Sequence, residues 1–238
     1  MIRVPGWVSH TVRRRRADVI TLLCAVVVVV ITLLMLGRID RVPEVERSVF
    51  HAVNGLPGTI NPVVTPLMFL GTLAAVPLFM VACGLRRKFR MGFVVGIAGL
   101  TAYLLARAGK HAIGRGRPGE IFDQLHLRDV DATGLGFPSG HAAVAAAVVV
   151  AALPYLQRRW RWPVLLFPVF MAFARVYVGA HLPLDVVSGA AIGAAAAAAL
   201  HLTLGVPLTP SADPPVVAPT APEPAVVGSG GSTTGAGS

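Results

Sequence analysis

The stretch ADVITLLCAVVVVVITLLMLG, residues Ala17–Gly37, decides the solvent in which this chain folds. A helix needs about 20 largely apolar residues to cross a hydrocarbon core roughly 30 Å thick, and this stretch, charged only at Asp18, reaches that length. Arg13–Arg16 precede it, as in a secretory signal. The run is too long for a signal core, however, and no small-x-small site follows before Arg38 and Asp40, so an uncleaved first span is expected. Working outward, five more apolar segments can be drawn: Ile60–Leu85, Met91–Gly109, Ser139–Leu156, Trp162–Val178 and Pro183–Val206.

The expected fold is therefore all-α, a polytopic membrane bundle of six transmembrane helices. Residues 1–16 form a basic cytoplasmic N-terminus, residues 17–206 the membrane domain, and residues 207–238 a disordered tail rich in Pro, Ala, Gly and Ser. Composition agrees: 55% of the 238 residues are hydrophobic and 13% charged, with a mean hydropathy of +0.70. The net charge of +10 would suggest nucleic acid in a soluble protein. Here the cations sit in short clusters between apolar runs and read as topology signals, so the bilayer is the expected partner and nucleic acid is not. Cys24 and Cys83 each lie in an apolar run, which argues against a disulfide framework or thiolate metal site.

Lys and Arg concentrate in alternate connections: before Ala17, in Arg86–Arg90 and in Arg158–Arg161. The positive-inside rule places these connections, and both termini, in the cytoplasm. The segments 38–59, 110–138 and 179–182 then face outward. The fourth and sixth spans are rich in alanine and glycine, which lets membrane helices approach closely, so these two are expected to pack together. Trp7, Trp160 and Trp162 fall at cytoplasmic interfaces as an aromatic belt.

Three clusters place costly polar groups beside or inside apolar spans, where ionisable residues suggest function. They are Lys110-His-Ala-Ile-Gly-Arg-Gly-Arg117-Pro118, Pro138-Ser139-Gly140-His141, and Arg175-Val-Tyr-Val-Gly-Ala-His181-Leu-Pro-Leu-Asp185. Threading the spans puts all three on one face, the face that the charge bias assigns to the outside. A helix opening at Ser139 offers unpaired amides and a positive dipole end to an anion; Gly140 permits close approach, and Ser139 can cap the helix. Lys110, Arg117 and Arg175 are cations that could balance a phosphate and its transition state, each contact being worth about 4 kcal/mol at an effective dielectric near 20 before desolvation. His181 and Asp185 are four residues apart, so a helical turn could bring the carboxylate to one ring nitrogen and leave the other free to attack phosphorus. His141 would protonate the leaving oxygen and later activate water. Taken singly, each residue has a plain structural explanation; their joint placement on one face favours a site. His10, His51, His111, His126 and His201 lack such support and are read as structural. Arg107 and Arg115 are intermediate, since both adjoin the clusters but could equally meet lipid headgroups.

Read together as Lys-x6-Arg-Pro, Pro-Ser-Gly-His and Arg-x5-His-x3-Asp, these motifs resemble the type 2 phosphatidic acid phosphatase (PAP2) superfamily over roughly residues 60 to 206. The resemblance implies a metal-independent phosphatase with no cofactor, phosphate contacts from Lys110, Arg117, Ser139, Gly140 and Arg175, His141 as acid, His181 as nucleophile and Asp185 as its partner. One departure is Ala174, where the family commonly has serine before the arginine; it removes one hydrogen bond worth about 0.5 to 1.5 kcal/mol. Metal binding is also disfavoured by the histidines' pairing with cations.

If the fifth span starts near Trp162, Arg175 lies about 20 Å along it and the pocket is recessed below headgroup level, which suits a lipid phosphate entering sideways. The expected substrate is a polyprenyl diphosphate or monophosphate, undecaprenyl diphosphate first by resemblance. Phosphatidic acid, phosphatidylglycerophosphate and a polyprenyl-phosphosugar are alternatives. A non-catalytic lipid-phosphate binder or transporter would need cations more than His141, His181 and Asp185, and a vanadium-dependent haloperoxidase fits poorly with the apolar composition. The segment Gly119–Phe137, with Asp123, Arg128, Asp129 and Asp131, is expected to form a lid or access rim.

Overall fold

The computed structural model describes residues 12–13, 15–37, 42–128 and 130–207. The expectations for Trp7, His10, Asp129 and the tail beyond residue 207 lie outside the described residues. The described chain is helical apart from one short antiparallel pairing. In order, β1 (Val12–Arg13) leads into α1 (Arg16–Gly37), followed by α2 (Glu44–Asn54), α3 (Asn61–Met68), α4 (Val76–Leu85) and α5 (Phe89–Ile113). Then come α6 (Pro118–Ile121), α7 (Gly140–Ala152), α8 (Arg158–Tyr177), α9 (Pro183–Leu204) and β2 (Val206–Pro207).

Among the described residues, three helices, α1, α5 and α9, are long and apolar enough to cross a membrane. The expected second span is not one helix. It breaks at Thr72, which is extended (φ −81°, ψ 157°) between two 3-10 turns, and its halves meet at 69°; counted as one bent span, it makes a fourth. Pro66 and Pro77 lack the amide hydrogens that a continuous ladder would use there. The expected fourth span corresponds to α7, only 13 residues long. The fifth corresponds to α8, which begins four residues earlier than Trp162 and carries Arg158, Arg159, Arg161 and Arg175. The helix α2 falls in a segment expected to be a connection. Its start after Pro43 and its first-turn acids Glu44 and Glu46 suit a helix N-terminus.

The bundle is built around α7, whose alanines and valines other than Val150 are buried on all sides, as a helix at the centre of a bundle requires. It packs on α9, α5 and α8, and α9 packs in turn on α1. The expected close approach of α7 and α9 is present. A Cβ on Gly189 would collide with the Ser139 carbonyl, and one on Gly193 with the Ala143 carbonyl, so glycine is required at both.

At the end of α9 remote from Pro183, a polar cluster ties α1 to α7 and α9. Asp18 accepts from Arg15 Nε and Nη2, both at 3.0 Å, and stands 3.0 Å from His201 Nδ1. The other nitrogen of His201 lies 3.2 Å from the Ala151 carbonyl. Arg90 Nη2 donates to the carbonyls of Leu204 and Gly205 at 2.8 and 2.9 Å, beside the pairing of β1 with β2. His201 is thus structural, a bridge between α1, α7 and α9.

Candidate active site

The three motifs meet at the opposite end of α9. Helix α5 ends on Gly114, whose φ of +69° turns the chain out of the helix. The segment that follows folds back on itself. Gly116 bridges Leu135, Gly136 N–H donates to Arg115 O (2.7 Å), and Arg117 N–H donates to Gly134 O (3.0 Å). Lys110 Nζ fixes this fold from below by donating to the carbonyls of Leu135 and Gly136. Arg117 is held by the Asp131 carbonyl at 2.9 Å.

The start of α7 is joined to the start of α9 through Ser139 N–H, which donates to the Asp185 carbonyl at 2.9 Å. After α8, Gly179 takes φ +80° and the turn closes as His181 N–H donates to Arg175 O at 3.2 Å. Lys110, Arg117, Ser139, Gly140, His141, Arg175, His181 and Asp185 are thereby brought to one place. Lys110, Arg117 and Arg175 act electrostatically on one another and on both histidines.

The arrangement leaves hydrogen-bonding groups unused. Among the described residues, six buried side-chain polar atoms have no partner, and four of these belong to Arg117 (Nε), Ser139 (Oγ), Arg175 (Nε) and His181 (Nδ1). Buried polar groups are ordinarily satisfied, and the three orphaned donors of Arg117, Ser139 and Arg175 form the kind of arrangement that an anion would complete. Arg175 is only 6% exposed, and its guanidinium reaches no carboxylate; Met68 Sδ stands 3.9 Å from Nη1. A cavity of about 350 Å³ opens on Lys110, Arg117 and Gly140 and continues along α5 past Arg107, Ala106 and Tyr103. A Cβ on Gly140 would meet nothing within 4 Å, so this glycine leaves space in front of the helix start.

Burial pushes the His181 imidazole well below its ordinary range, and the fields of Arg175, Lys110 and Arg117 act in the same direction. The ring is therefore neutral near pH 7, as a nucleophile must be. Among the described residues, no three His, Cys, Asp or Glu side chains are grouped as a metal ligand set.

Several expectations are corrected here. Ser139 occupies the N-cap position of α7 but makes no side-chain cap bond; its hydroxyl is one of the orphans. Asp185 does not hydrogen-bond His181, since Oδ2 lies 3.7 Å from Nδ1. The four-residue spacing assumed a continuous helical turn, whereas Leu182 is extended (φ −81°, ψ 159°) and His181 precedes the helix. Asp185 Oδ2 instead accepts from Leu182 N–H at 2.9 Å, and Oδ1 accepts from Arg115 at 2.8 Å. Helix α8 starts at Arg158, so Arg175 lies about 26 Å along the helix. Arg128 is a staple: it donates to the Tyr177 and Leu56 carbonyls and stacks over the Tyr177 ring at 4.2 Å.

Sequence reasoning left Arg115 undecided and missed Glu46. Arg115 donates to Glu46 Oε1 and Oε2 at 3.2 and 2.7 Å as well as to Asp185. Burial opposes its charge, but the bonds and fields of Glu46 and Asp185 outweigh burial and raise its proton affinity above the ordinary value. The signal for Glu46 was present: the run Glu44–Asn54 behind Pro43 has acids in its first turn and sets Glu46, Phe50 and Asn54, its buried residues, at helical spacing. Arg107 is exposed beside the cavity, whereas His51 packs among the rings of Phe50 and Phe122, and His126 holds Asn54 through its backbone.

Comparison with known proteins places this geometry. An undecaprenyl-diphosphatase of Sulfolobus acidocaldarius is 29% identical over 109 residues, 45% of this chain and 52% of that protein. A lipid A 1-phosphatase of Rhizobium johnstonii is 38% identical over 106 residues, 43% of this chain and 41% of that protein. The chain thus spans about half the length of these curated relatives. Among solved structures, the transmembrane PAP2 type phosphatidylglycerolphosphate phosphatase from Bacillus subtilis shares the fold, with a TM-score of 0.58, 24% identity and coverage of 76% of this chain and 92% of that one. The PAP2 superfamily profile matches residues 87–206, half of the chain and all three motifs, and the chain belongs to the PAP2 superfamily.

Proposed function

We propose that this protein is an integral membrane phosphatase that hydrolyses a lipid phosphate or diphosphate, a polyprenyl diphosphate first, at a site facing away from the cytoplasm. The observation that carries the reading is the convergence of orphaned buried donors from Arg117, Ser139 and Arg175 on a neutral, buried His181. A binder needs the donors; the nucleophile in their midst is what catalysis adds. The relatives named for undecaprenyl diphosphate and lipid A support the lipid class, as does a cavity running along the membrane-length helix α5 past Tyr103 and Ala106.

In this reading His181 Nδ1 faces Asp185, and Nε2 attacks. Its lone pair forms an N–P bond as the P–O bond to the leaving group breaks, while His141 gives a proton to the departing oxygen. Water then attacks phosphorus, passes a proton to His141 and frees His181 and inorganic phosphate. The backbone amides that open α7, with Lys110, Arg117 and Arg175, stabilise the charge on the transferring phosphoryl group. A protonated His141 beside these cations requires the phosphate's negative charge between them.

Six membrane crossings, with both termini cytoplasmic, complete the proposal. The pairing of Val12–Arg13 with Val206–Pro207 supports placing the start of α1 and the end of α9 on one side, and the Arg-rich connections support that side being the cytoplasm. The test is phosphate release by the purified protein from a polyprenyl diphosphate and from phosphatidic acid, beside His181→Ala. Wild type should form an acid-labile, base-stable phosphoenzyme and the variant neither phosphoenzyme nor phosphate. Release by His181→Ala would refute the nucleophile, and equal or better turnover of phosphatidic acid would refute the substrate preference.

A further inference from the structure

We infer that Arg115 and Glu46 are a positioning pair for Asp185, so that the reactive end of α9 is set from α2, outside the residues that match the superfamily profile. The inference rests on the phosphatase reading above. It begins from the bonds made by two buried carboxylates. Asp185 is fully buried, and its oxygens are divided: Oδ1 takes Arg115 Nη1 at 2.8 Å, and Oδ2 takes Leu182 N–H at 2.9 Å and faces His181 Nδ1. Glu46 is equally enclosed, at 5% exposure. It takes both terminal nitrogens of Arg115 and also the N–H of Leu184 at 2.9 Å.

Leu182 and Leu184 carry two of the amides that a helix start leaves without intrahelical partners. One is satisfied by Asp185 of α9 itself, the other by Glu46 of α2. Arg115 lies between the carboxylates and locks the plane of Asp185, so that Oδ2 cannot rotate away from His181. Capping α9 would need only carboxylates. A largely enclosed guanidinium shared by two of them adds a fixed positive field next to the partner of the nucleophile, and desolvating such a triad is costly unless geometry is strictly held.

The pair also sets the pull of Asp185 on the His181 proton. Among the described residues, the charged and titratable groups facing His181 are Asp185 from α9, His141 from α7, Arg175 from α8, Lys110 from α5 and Arg117 from the following segment, with Arg115 and Glu46 behind Asp185. Removing Arg115 leaves Asp185 more basic, so His181 holds a proton to higher pH. Removing the Glu46 charge leaves Arg115 to act wholly on Asp185, with the opposite result. Opposed signs distinguish this role from simple adhesion between α2 and α9.

The experiment measures kcat, KM and the pH profile of kcat/KM for wild type, Arg115→Gln, Arg115→Lys, Glu46→Gln and His181→Ala in detergent, each with a thermal melt. Expected for Arg115→Gln is a fall in kcat of about 10- to 100-fold with KM nearly unchanged, and an acid limb displaced upward by about one pH unit. Arg115→Lys should restore part of kcat, because charge returns without the fork. Glu46→Gln should displace the limb downward. Variants that melt as folded proteins with unchanged kcat and limbs overturn the positioning role, as do losses that follow the melting temperature without opposed shifts. Should Arg115→Gln not fold, Glu46→Gln and Arg115→Lys carry the test. If His181→Ala still releases phosphate, the phosphatase mechanism fails instead, so the two failures are separate.

Discussion

Replacing Arg175 with methionine should make this protein more stable and less able to bind phosphate. The guanidinium is 6% exposed, its Nε has no partner among the described residues, and Lys110 and Arg117 add positive charge nearby. Exchanging buried ionic groups for apolar ones of similar volume stabilises by about 1 to 4 kcal/mol, even where the charges are paired. At roughly 2 to 4 °C per kcal/mol for a chain of this size, the melting temperature should rise by about 5 °C. The same substitution removes charge-assisted hydrogen bonds to the anion, worth about 1.5 to 3 kcal/mol, or about 10- to 150-fold in the dissociation constant. The assay is thermal unfolding of purified protein in detergent, with and without inorganic phosphate or orthovanadate. Wild type should gain stability with anion concentration as mass action requires, about 2.7 kcal/mol at a hundredfold excess over Kd. Arg175→Met should start higher and gain little. A variant that melts below wild type without anion, or that gains as much from vanadate, refutes the assignment of Arg175 as a buried charge held for phosphate.

The fields around His181 give a pH prediction. With its pKa lowered by burial and by Arg175, Lys110 and Arg117, and with His141, Asp185, Arg115 and Glu46 also nearby, its limb in kcat/KM should fall below about pH 6.5. The unfolded chain takes up this proton first, so stability should decline as pH falls below that value; a limb at or above pH 6.5, after correction for substrate ionisation, contradicts this. Gly193→Val should lose stability by more than about 1 to 3 kcal/mol and lose activity, because its Cβ meets the backbone of Ala143 and Ala147, which cannot yield. Gly140→Ala, whose Cβ has open space, should melt like wild type yet turn over more slowly; melts and phosphate release read both. His201→Leu removes a buried partner of Asp18, and a loss of about 3 kcal/mol is expected in denaturation. Activity per folded molecule should be unchanged, because the site lies about 27 Å away along α9.

What could be read from the chain followed its periodicities. Apolar runs gave α1, α5 and α9, and the small residues of α7 and α9 gave their packing. The three motifs gave eight residues that the structure brings together. Local chemistry misled where it depended on a dihedral angle. Ser139 looked like a cap but turns its hydroxyl elsewhere, and the spacing of His181 and Asp185 looked like a helical pair but spans the extended Leu182. The break at Thr72 was likewise hidden inside an apolar stretch, since hydropathy reports length and not direction.

The sequence by itself determined the solvent, the helical class and which polar groups stand at one face, because burial preference and span length are properties of the chain. Only the tertiary structure decided who pairs with whom. Glu46 is separated from Arg115 by 69 positions and from Leu184 by 138, and no local pattern encodes such contacts. They arise when α2 docks beside α9, and a buried carboxylate must then find the nearest donors that geometry supplies.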